Sequence, residues 1–351
     1  MVKIAETAEK RSVQDGNLRS EDGKPKERIT EMTANIETMF SVREKPWHYE
    51  LTQKVTKLIQ EAPTSADALH LAGLDWIVEP KPIFSEIDSV FGKTMQEIPG
   101  YKANTRNVDG SVLGIVSDAY KIVQNTDAFA FTDNLIGGEV RYETAGSLAG
   151  GRRVWLLARL PETEIVGDKV EQYLVFTNTF DGSGSVRVSC TPVRVVCQNT
   201  LNLALGTAKR SWSMRHTANI EGRLKEAHDA LQLAENYIYA LSNKANRMAT
   251  QHLSETKIDE LVKQLFPIAD DATPLVSRRN AERRELFRTA LEADDLQNFR
   301  GTKWQFVNAA ADMAGHAQPI RMTATSRENR LKDIFNGHPL LDKAYELVLA
   351  A

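Results

Sequence analysis

Cys190 and Cys197 are the only two cysteines in the 351-residue sequence. Two thiols make neither a disulfide framework nor a four-cysteine zinc site, and no signal-peptide pattern precedes them, so a reducing cytosol is the expected compartment. A long apolar run is missing too. Asp, Glu, Lys or Arg interrupts every hydrophobic stretch before the ~20 residues a membrane-spanning helix needs, and no membrane partner is expected. Charge of one sign is equally scarce: 44 Lys+Arg against 47 Asp+Glu leave a formal −3. A polyanionic partner must therefore be argued from local clustering. The seven histidines never pair at helical ligand spacing beside an acid, and HExxH is absent, so neither a metal nor another cofactor is expected.

What is present is ample apolar sequence, 42% of residues, enough to bury a core without staples. It is unevenly spread. Residues 1–30 mix charges of both signs with few large apolar side chains, so a weakly ordered tail is expected over 1–38. Residues 39–206 read as a mixed α+β domain. Ser65 is placed to cap a short helix ending at Gly73. An extended segment from Trp76 carries Pro80 and Pro82, which suits an edge strand. Asp109-Gly110 reads as a hairpin turn between YKANTRNV and SVLGIVS. Asn125 or Thr126 would cap a helix, and strands follow near 139–145 and 152–160, the second apolar enough to be central. A further hairpin joins 171–180 to 185–190 through Asp181-Gly182-Ser183-Gly184.

At Pro192 the pattern shifts to a 3.6 period: Val193, Val196, Cys197, Thr200, Leu201 and Ala204 share a face, predicting a helix over 192–205. Residues 207–351 read as a helical region, with helices at 219–248, 255–266 behind Ser254, 277–296, 302–315, 326–336 and 339–350. Leu224, Leu231, Ile238 and Ala245 recur every seven residues, as do Ala227, Ala234, Leu241 and Met248. This seam over 224–248 would either pack on the sheet or carry homo-oligomerisation. The expected fold class is α+β: a mainly antiparallel sheet with crossing helices, followed by a helical C-terminal region.

Several motifs fail on mechanism. Gly146 to Gly151 has the glycine spacing of a phosphate loop, but Arg152 and Arg153 replace its lysine and hydroxyl residue, and a strand follows instead of a helix. Gly182-Ser183-Gly184 is a hairpin tip, not a nucleophile elbow. No residue is assigned as catalytic. Local charge is more informative. Arg187, Arg194, Lys209, Arg210, Arg215 and Arg223 face one acid, Glu221, and the stretch from Lys209 to His216 interleaves bases, hydroxyls and Trp212 in what reads as a loop. Its cations would neutralise phosphates while Trp212 stacks on a base, and Arg152, Arg153 and Arg159 would extend the track. The alternative is a solvated loop with Trp212 tucked into the core. A second basic run, 278–288, carries Glu282 and Glu285 at salt-bridge spacing on an exposed helix.

The blocks Phe40 to Trp47-His48, Ala72 to Trp76, Leu113-Gly114 with Val116 to Tyr120, and Val123-Gln124-Asn125 recur in a recognisable order. So do Ala145-Gly146 through Trp155, Asn178 through Asp181-Gly182, and Pro192 through Leu201. Taken together, the chain from Met39 to Leu349 resembles a family of phage- and plasmid-borne proteins known only as domain of unknown function 932. Trp47, Tyr120, Asn125, Asp181 and Asn199 stand in its motifs. After Trp47-His48 the family tends to continue Gly-Leu-Gly, whereas this chain reads Tyr49-Glu50-Leu51. The resemblance implies a mobile-element origin and a bacterial host cytosol, and no reaction. On these grounds the leading expectation is a non-enzymatic protein binding single-stranded DNA in replication or recombination. The alternatives are a small-ligand enzyme with a cleft around Asn125, Asp181, Arg194, Gln198 and Asn199, and a self-assembling host-interaction protein.

Overall fold

The computed structural model describes residues 36–49, 57–59, 64–90, 92–135, 141–197, 200–205, 208–217, 230–316 and 326–351. Its centre is a seven-stranded sheet built from β1 (Ile36–Ser41), β2 (Lys57–Leu58), β6 (Arg141–Leu148), β7 (Arg153–Ile165), β8 (Asp168–Thr179), β9 (Val186–Arg194) and β10 (Ser211–Met214). The spatial order is β10-β9-β8-β7-β6-β1-β2, antiparallel throughout except for the β1–β2 pair. β7 therefore lies in the middle, and its side chains alternate between two apolar layers as the pleat requires. Val154, Leu156, Ala158 and Leu160 enter the main core; Trp155 and Leu157 join Met39, Trp47, Tyr173, Val175, Leu331 and Phe335 on the other face.

A second, three-stranded sheet, β3 (Val78–Ser89), β4 (Gly92–Arg106) and β5 (Val112–Ser117), has order β3-β4-β5, so the prolines of β3 do lie on an edge strand. The Asp109-Gly110 turn joins β4 to β5, with Gly110 at φ 73°. This sheet meets the larger one at Gly114. A Cβ built there would lie 2.4 Å from Asp181 Cα and 3.0 Å from the Phe180 carbonyl oxygen, both backbone atoms that cannot rotate away. Gly114→Ala is therefore expected to destabilise by about 1–3 kcal/mol through overpacking and to displace the 181–185 hairpin tip. Urea unfolding measures the first effect, and amide shifts of Gly182 and Gly184 the second.

Helices α1 (Ser65–Leu71) and α2 (Asn125–Phe129) flank the sheets; their N-caps are Thr64, one residue ahead of the expected Ser65, and Gln124, ahead of the expected Asn125 or Thr126. The C-terminal region supplies α3 (Ala230–Ala249), α4 (Glu255–Leu265), α5 (Pro274–Leu291), α6 (Lys303–His316), α7 (Ser326–Asn336) and α8 (Pro339–Ala350). Ser254 caps α4 by accepting from the Lys257 N–H, as its position before an apolar run predicts. On α5, Arg278 pairs with Glu282 at 3.6 Å and Arg288 with Glu285 at 2.7 Å, so that basic run is salt-bridged.

Two expectations need correction. There is no helix over 192–205 among the described residues: β9 runs on to Arg194, and the chain then turns back so that Thr200 bridges Val193 and the Leu201 N–H reaches the Pro192 carbonyl. The stretch read as a loop around Trp212 is an edge strand, β10, paired with β9 from Val186 to Ser189. Within 207–351, the region read as helical and packed on or beside the sheet, β10 completes the sheet and α3 shares its core. Ala234, Ile238, Leu241, Ala245 and Met248 of the heptad seam are buried there, so five of its eight positions are already covered. Leu224 and Ala227 lie outside the described residues.

Candidate functional site

The free edge of the sheet on this side is β10, and open clefts lie beside it and beside residues 202–205 and 208–210. The first, about 360 Å³, lies between Asn202–Leu205, Lys209–Ser211 and the Asn336–Gly337 end of α7. Its acid, Asp342, accepts the Ala204 N–H at 2.9 Å. The second, about 670 Å³, lies between Ala208–Lys209 and one face of α3, which presents Gln232, Asn236, Tyr239, Asn243 and Lys244. The third, about 680 Å³, is walled by the hairpin tip Gly182–Ser185, by Ser213 and Arg215–Thr217, and by Tyr120. Between the first and the third, β10 spans roughly 13 Å at the usual rise per strand residue.

The cations expected to make the track divide into two groups. Lys209 and Arg215 are exposed beside these clefts, Arg152 is exposed in the turn between β6 and β7, and none makes an ion pair among the described residues. Arg187 is half-buried, also without an acidic partner; burial alone pushes its guanidinium pKa down. It stands directly opposite Ser213 on the neighbouring strand. Arg153 lies on the same face of β7 as Trp155, near Ser183 at 3.4 Å.

Arg194 and Arg210 leave the track. Arg194 is fully buried, its guanidinium donating to Asp168 at 2.6 Å, to Asp295 at 2.9 Å and to Asn308 at 3.1 Å. Arg210 donates to the carbonyls of Cys190 at 2.9 Å and Phe335 at 3.3 Å, tying β9 to the end of α7, and burial lowers its pKa. Arg159 is engaged with Glu162 at 3.8 Å and Glu171 at 3.6 Å. Trp212 is half-buried on the core-facing side, opposite Val188, and packs against the main core. An accessible ring sits elsewhere: Tyr239 of α3 is 73% exposed at the second cleft. Sequence did carry a signal for it, since Tyr239 falls outside the heptad stripe, but its proximity to Lys209 follows only from the packing of α3.

The family-motif residues are mostly architectural. Trp47 is buried beside Tyr173, ring centroids 5.7 Å apart. Asn125 donates to the Leu74 carbonyl at 2.9 Å. Tyr120 donates to the Thr179 carbonyl at 2.6 Å and stacks on His216 at 4.5 Å, and Asp181 accepts the Ser183 N–H at the hairpin tip. Asn199 and Gln198 lie outside the described residues. The enzyme cleft drawn around Asn125, Asp181 and Arg194 does not assemble. Arg194 is at the far end of β9 from the tip, roughly 23 Å along the strand from Arg187.

One charged cluster had no sequence signal, because its members are spread over more than a hundred residues. The Tyr173 hydroxyl, with one proton to give, lies 2.7 Å from Glu171 and 3.0 Å from Glu143, and Arg43 donates to Glu171 at 2.6 Å. Burial raises the Glu143 pKa. Burial also acts on Glu171, but hydrogen bonds from Arg43 and Tyr173 outweigh it and hold that carboxylate below its ordinary value. Its charges answer one another, as buried ions must. Among the described residues no group of three or more His, Cys, Asp and Glu could hold a metal ion, and no helix is long and apolar enough to cross a membrane.

No curated protein and no solved structure matches the chain. The blocks at 40–48 and 72–76 precede the stretch for which a family does match. From β5 to the last turn of α7, residues 112–335, the sequence fits the family described as Domain of unknown function (DUF932), and it is to this family that the chain belongs.

Proposed function

We propose that this chain binds single-stranded nucleic acid, single-stranded DNA foremost, along the edge formed by residues 208–217 and α3, holding the strand without transforming it. The observation that carries this reading is the second cleft. There an exposed aromatic ring, Tyr239, shares one cleft with Lys209 and Lys244, neither of them ion-paired among the described residues, and with Asn236, Asn243 and Gln232. Cations that lack acidic partners gain by neutralising phosphates and releasing their counterions. An exposed ring offers any unpaired base a face to stack on, and amide side chains reach base edges or sugars. A duplex hides those base faces, which is why the reading is for single strands. Arg215, Arg187 and Arg152 extend the positive edge toward the hairpin tip.

A labelled oligothymidylate followed by anisotropy at low salt tests this. Tyr239→Ala should weaken binding by about 1–3 kcal/mol, the usual worth of one stacked base. The double substitution Lys209→Gln, Lys244→Gln should flatten the log–log salt slope by about 1.4, since each phosphate contact on a single strand contributes about 0.7. Trp212→Ala should act mainly on stability, because that ring packs against the core. Absence of binding at low salt and micromolar protein overturns the proposal. Unchanged affinity in Tyr239→Ala and the double lysine variant relocates the site.

A further inference from the structure

Beyond the stretch that β5 covers, β3 and β4 run on as a two-stranded arm. Residues 84–88 of β3 and 92–99 of β4 are all exposed, so the arm has no layer over either face among the described residues. β5 pairs with β4 only from Tyr101 to Thr105, which leaves one side of β4 without a neighbouring strand from Lys93 to Ile98. A ribbon of two strands is marginal in water, and every second N–H and C=O along its open edge is a template for another strand. No proline guards that edge. Pro80 and Pro82 lie at the base of β3, and Pro99 stands just past Ile98. The arm is also apolar in places, with Met95 63% and Phe84 47% exposed.

We propose that the arm joins two copies of this chain: β4 of one pairs antiparallel with β4 of the other about a two-fold axis at Met95, giving a four-stranded sheet. Charge selects both partner and register. About that axis Lys93 stands opposite Glu97 of the second copy and Glu97 opposite its Lys93, with Thr94 opposite Gln96 and Met95 opposite Met95. A slip of one or two residues either way loses both charge pairs. Within the arm Lys93 reaches Glu86 at 2.5 Å, whereas Glu97 has no ion pair among the described residues. Lys93, Met95 and Glu97 share a face with Phe84, Glu86 and Asp88, the residues across from them on β3. Each Met95 therefore has a Phe84 on its diagonal, and pairing buries an apolar centre between two pairs of opposite charge. The outer edge of β3 is unsuited to the same use. Its only charges from Phe84 to Ser89 are Glu86 and Asp88, so no register there supplies an opposite charge. The arm shares no residue with the clefts beside β10 and α3, so dimerisation and strand binding are separate properties.

Sedimentation velocity of the full chain over a concentration series reads the association, and the wild-type chain should pass from monomer to dimer as concentration rises. Lys93→Glu and Glu97→Lys each set like charges opposite one another at both pairs, and each alone should weaken association by about tenfold or more. Mixed in equal amounts, the two variants should associate again, because each then offers the charge the other lacks. That rescue separates an interface from a damaged arm. Met95→Cys sets two thiols across the axis, where directly opposed Cα atoms lie about 4.5–5.5 Å apart, so mild oxidation should link the copies; Ser85→Cys should not link them. A chain that stays monomeric at every concentration overturns the proposal. So does a dimer of equal strength in both single variants, or a mixture that associates no better than either variant alone. A monomer whose arm amides become protected only on adding lipid vesicles or oligothymidylate overturns it too, and makes the occupant a membrane or a nucleic-acid strand.

Discussion

Replacing Arg194 by alanine is expected to lower the free energy of unfolding by about 3–5 kcal/mol, the cost of breaking a buried ion pair from one side. The Arg194 side chain is fully buried, whereas Asp168 and Asp295 keep side-chain exposures of 23% and 20%. Its five N–H donors are directed at Asp168, Asp295 and Asn308, which come from the start of β8, from the short helical segment Asp294–Phe299, and from α6. The guanidinium thus fastens the end of the sheet to the helical region. Without it, two carboxylates with only about a fifth of their surface in water lose their counter-charge. Arg215→Ala, at an exposed site without a partner, should stay within about 0.5 kcal/mol. The pair separates a structural arginine from a binding one. Urea unfolding should show Arg194→Ala shifting the midpoint strongly while Arg215→Ala shifts it hardly at all. Equal shifts would show that the buried network contributes no more than a surface charge.

That same residue shows where sequence reading stops. Arg194 sits among bases with a single acid nearby in sequence, so counting neighbours makes it a free cation. Its partners lie 26 and 101 positions away. Burial and long-range pairing, not local composition, decide whether an arginine is available. The missed helix over 192–205 has a local cause. Val193, Val196, Thr200 and Leu201 happen to fall at helical spacing, but the segment is rich in β-branched residues that favour a pleated surface. Pro192, taken as a helix start, instead occupies β9 beyond the point where β10 pairs. There it faces Leu201, whose N–H donates to its carbonyl, and the Leu201 carbonyl, which a proline cannot serve, accepts from the Leu203 N–H and the Tyr237 hydroxyl instead.

The elements that were legible have short-range causes. Asp109-Gly110 and the 181–184 tip are turns whose backbone needs glycine, and Gly110 and Gly182 take positive φ. The helices 326–336 and 339–350 end where their residues predict, with Asn336-Gly337 closing one and Pro339 opening the next. The candidate site falls between these cases. Lys209 and Arg215 were visible as local charge. Tyr239 and Lys244 became neighbours of Lys209 only when α3 packed on the sheet, and Trp212 lost its role because edge-strand alternation turned its ring toward the core.

Stability should fall steeply below neutral pH, and His48 is the main cause. The ring is 2% exposed, set edge-on between Trp47 at 5.1 Å and Trp155 at 5.3 Å, and burial pushes its pKa down to about 3. In the unfolded chain the imidazole titrates near its ordinary value of about 6.5. Between these values the unfolded chain holds a proton that the folded one does not. Stability therefore rises with pH across the window, is fully present above about 6.5 and is lost as pH falls toward 3, by about 1.4 kcal/mol per pH unit and on the order of 5 kcal/mol in all. Other groups overlap this window. His216, His338 and Glu171, with lowered pKa values, act in the same sense; Glu143, Asp333 and Asp342, with raised ones, oppose it. The difference between the wild-type chain and His48→Phe removes them, because all are common to both. Phenylalanine keeps an aromatic ring between the two indoles and cannot take a proton. The two chains should differ little at pH 8 and diverge progressively as the solution is acidified, with the variant the more stable. Parallel stability profiles down to pH 4 would mean that the folded chain accepts a proton at His48 as readily as the unfolded one does.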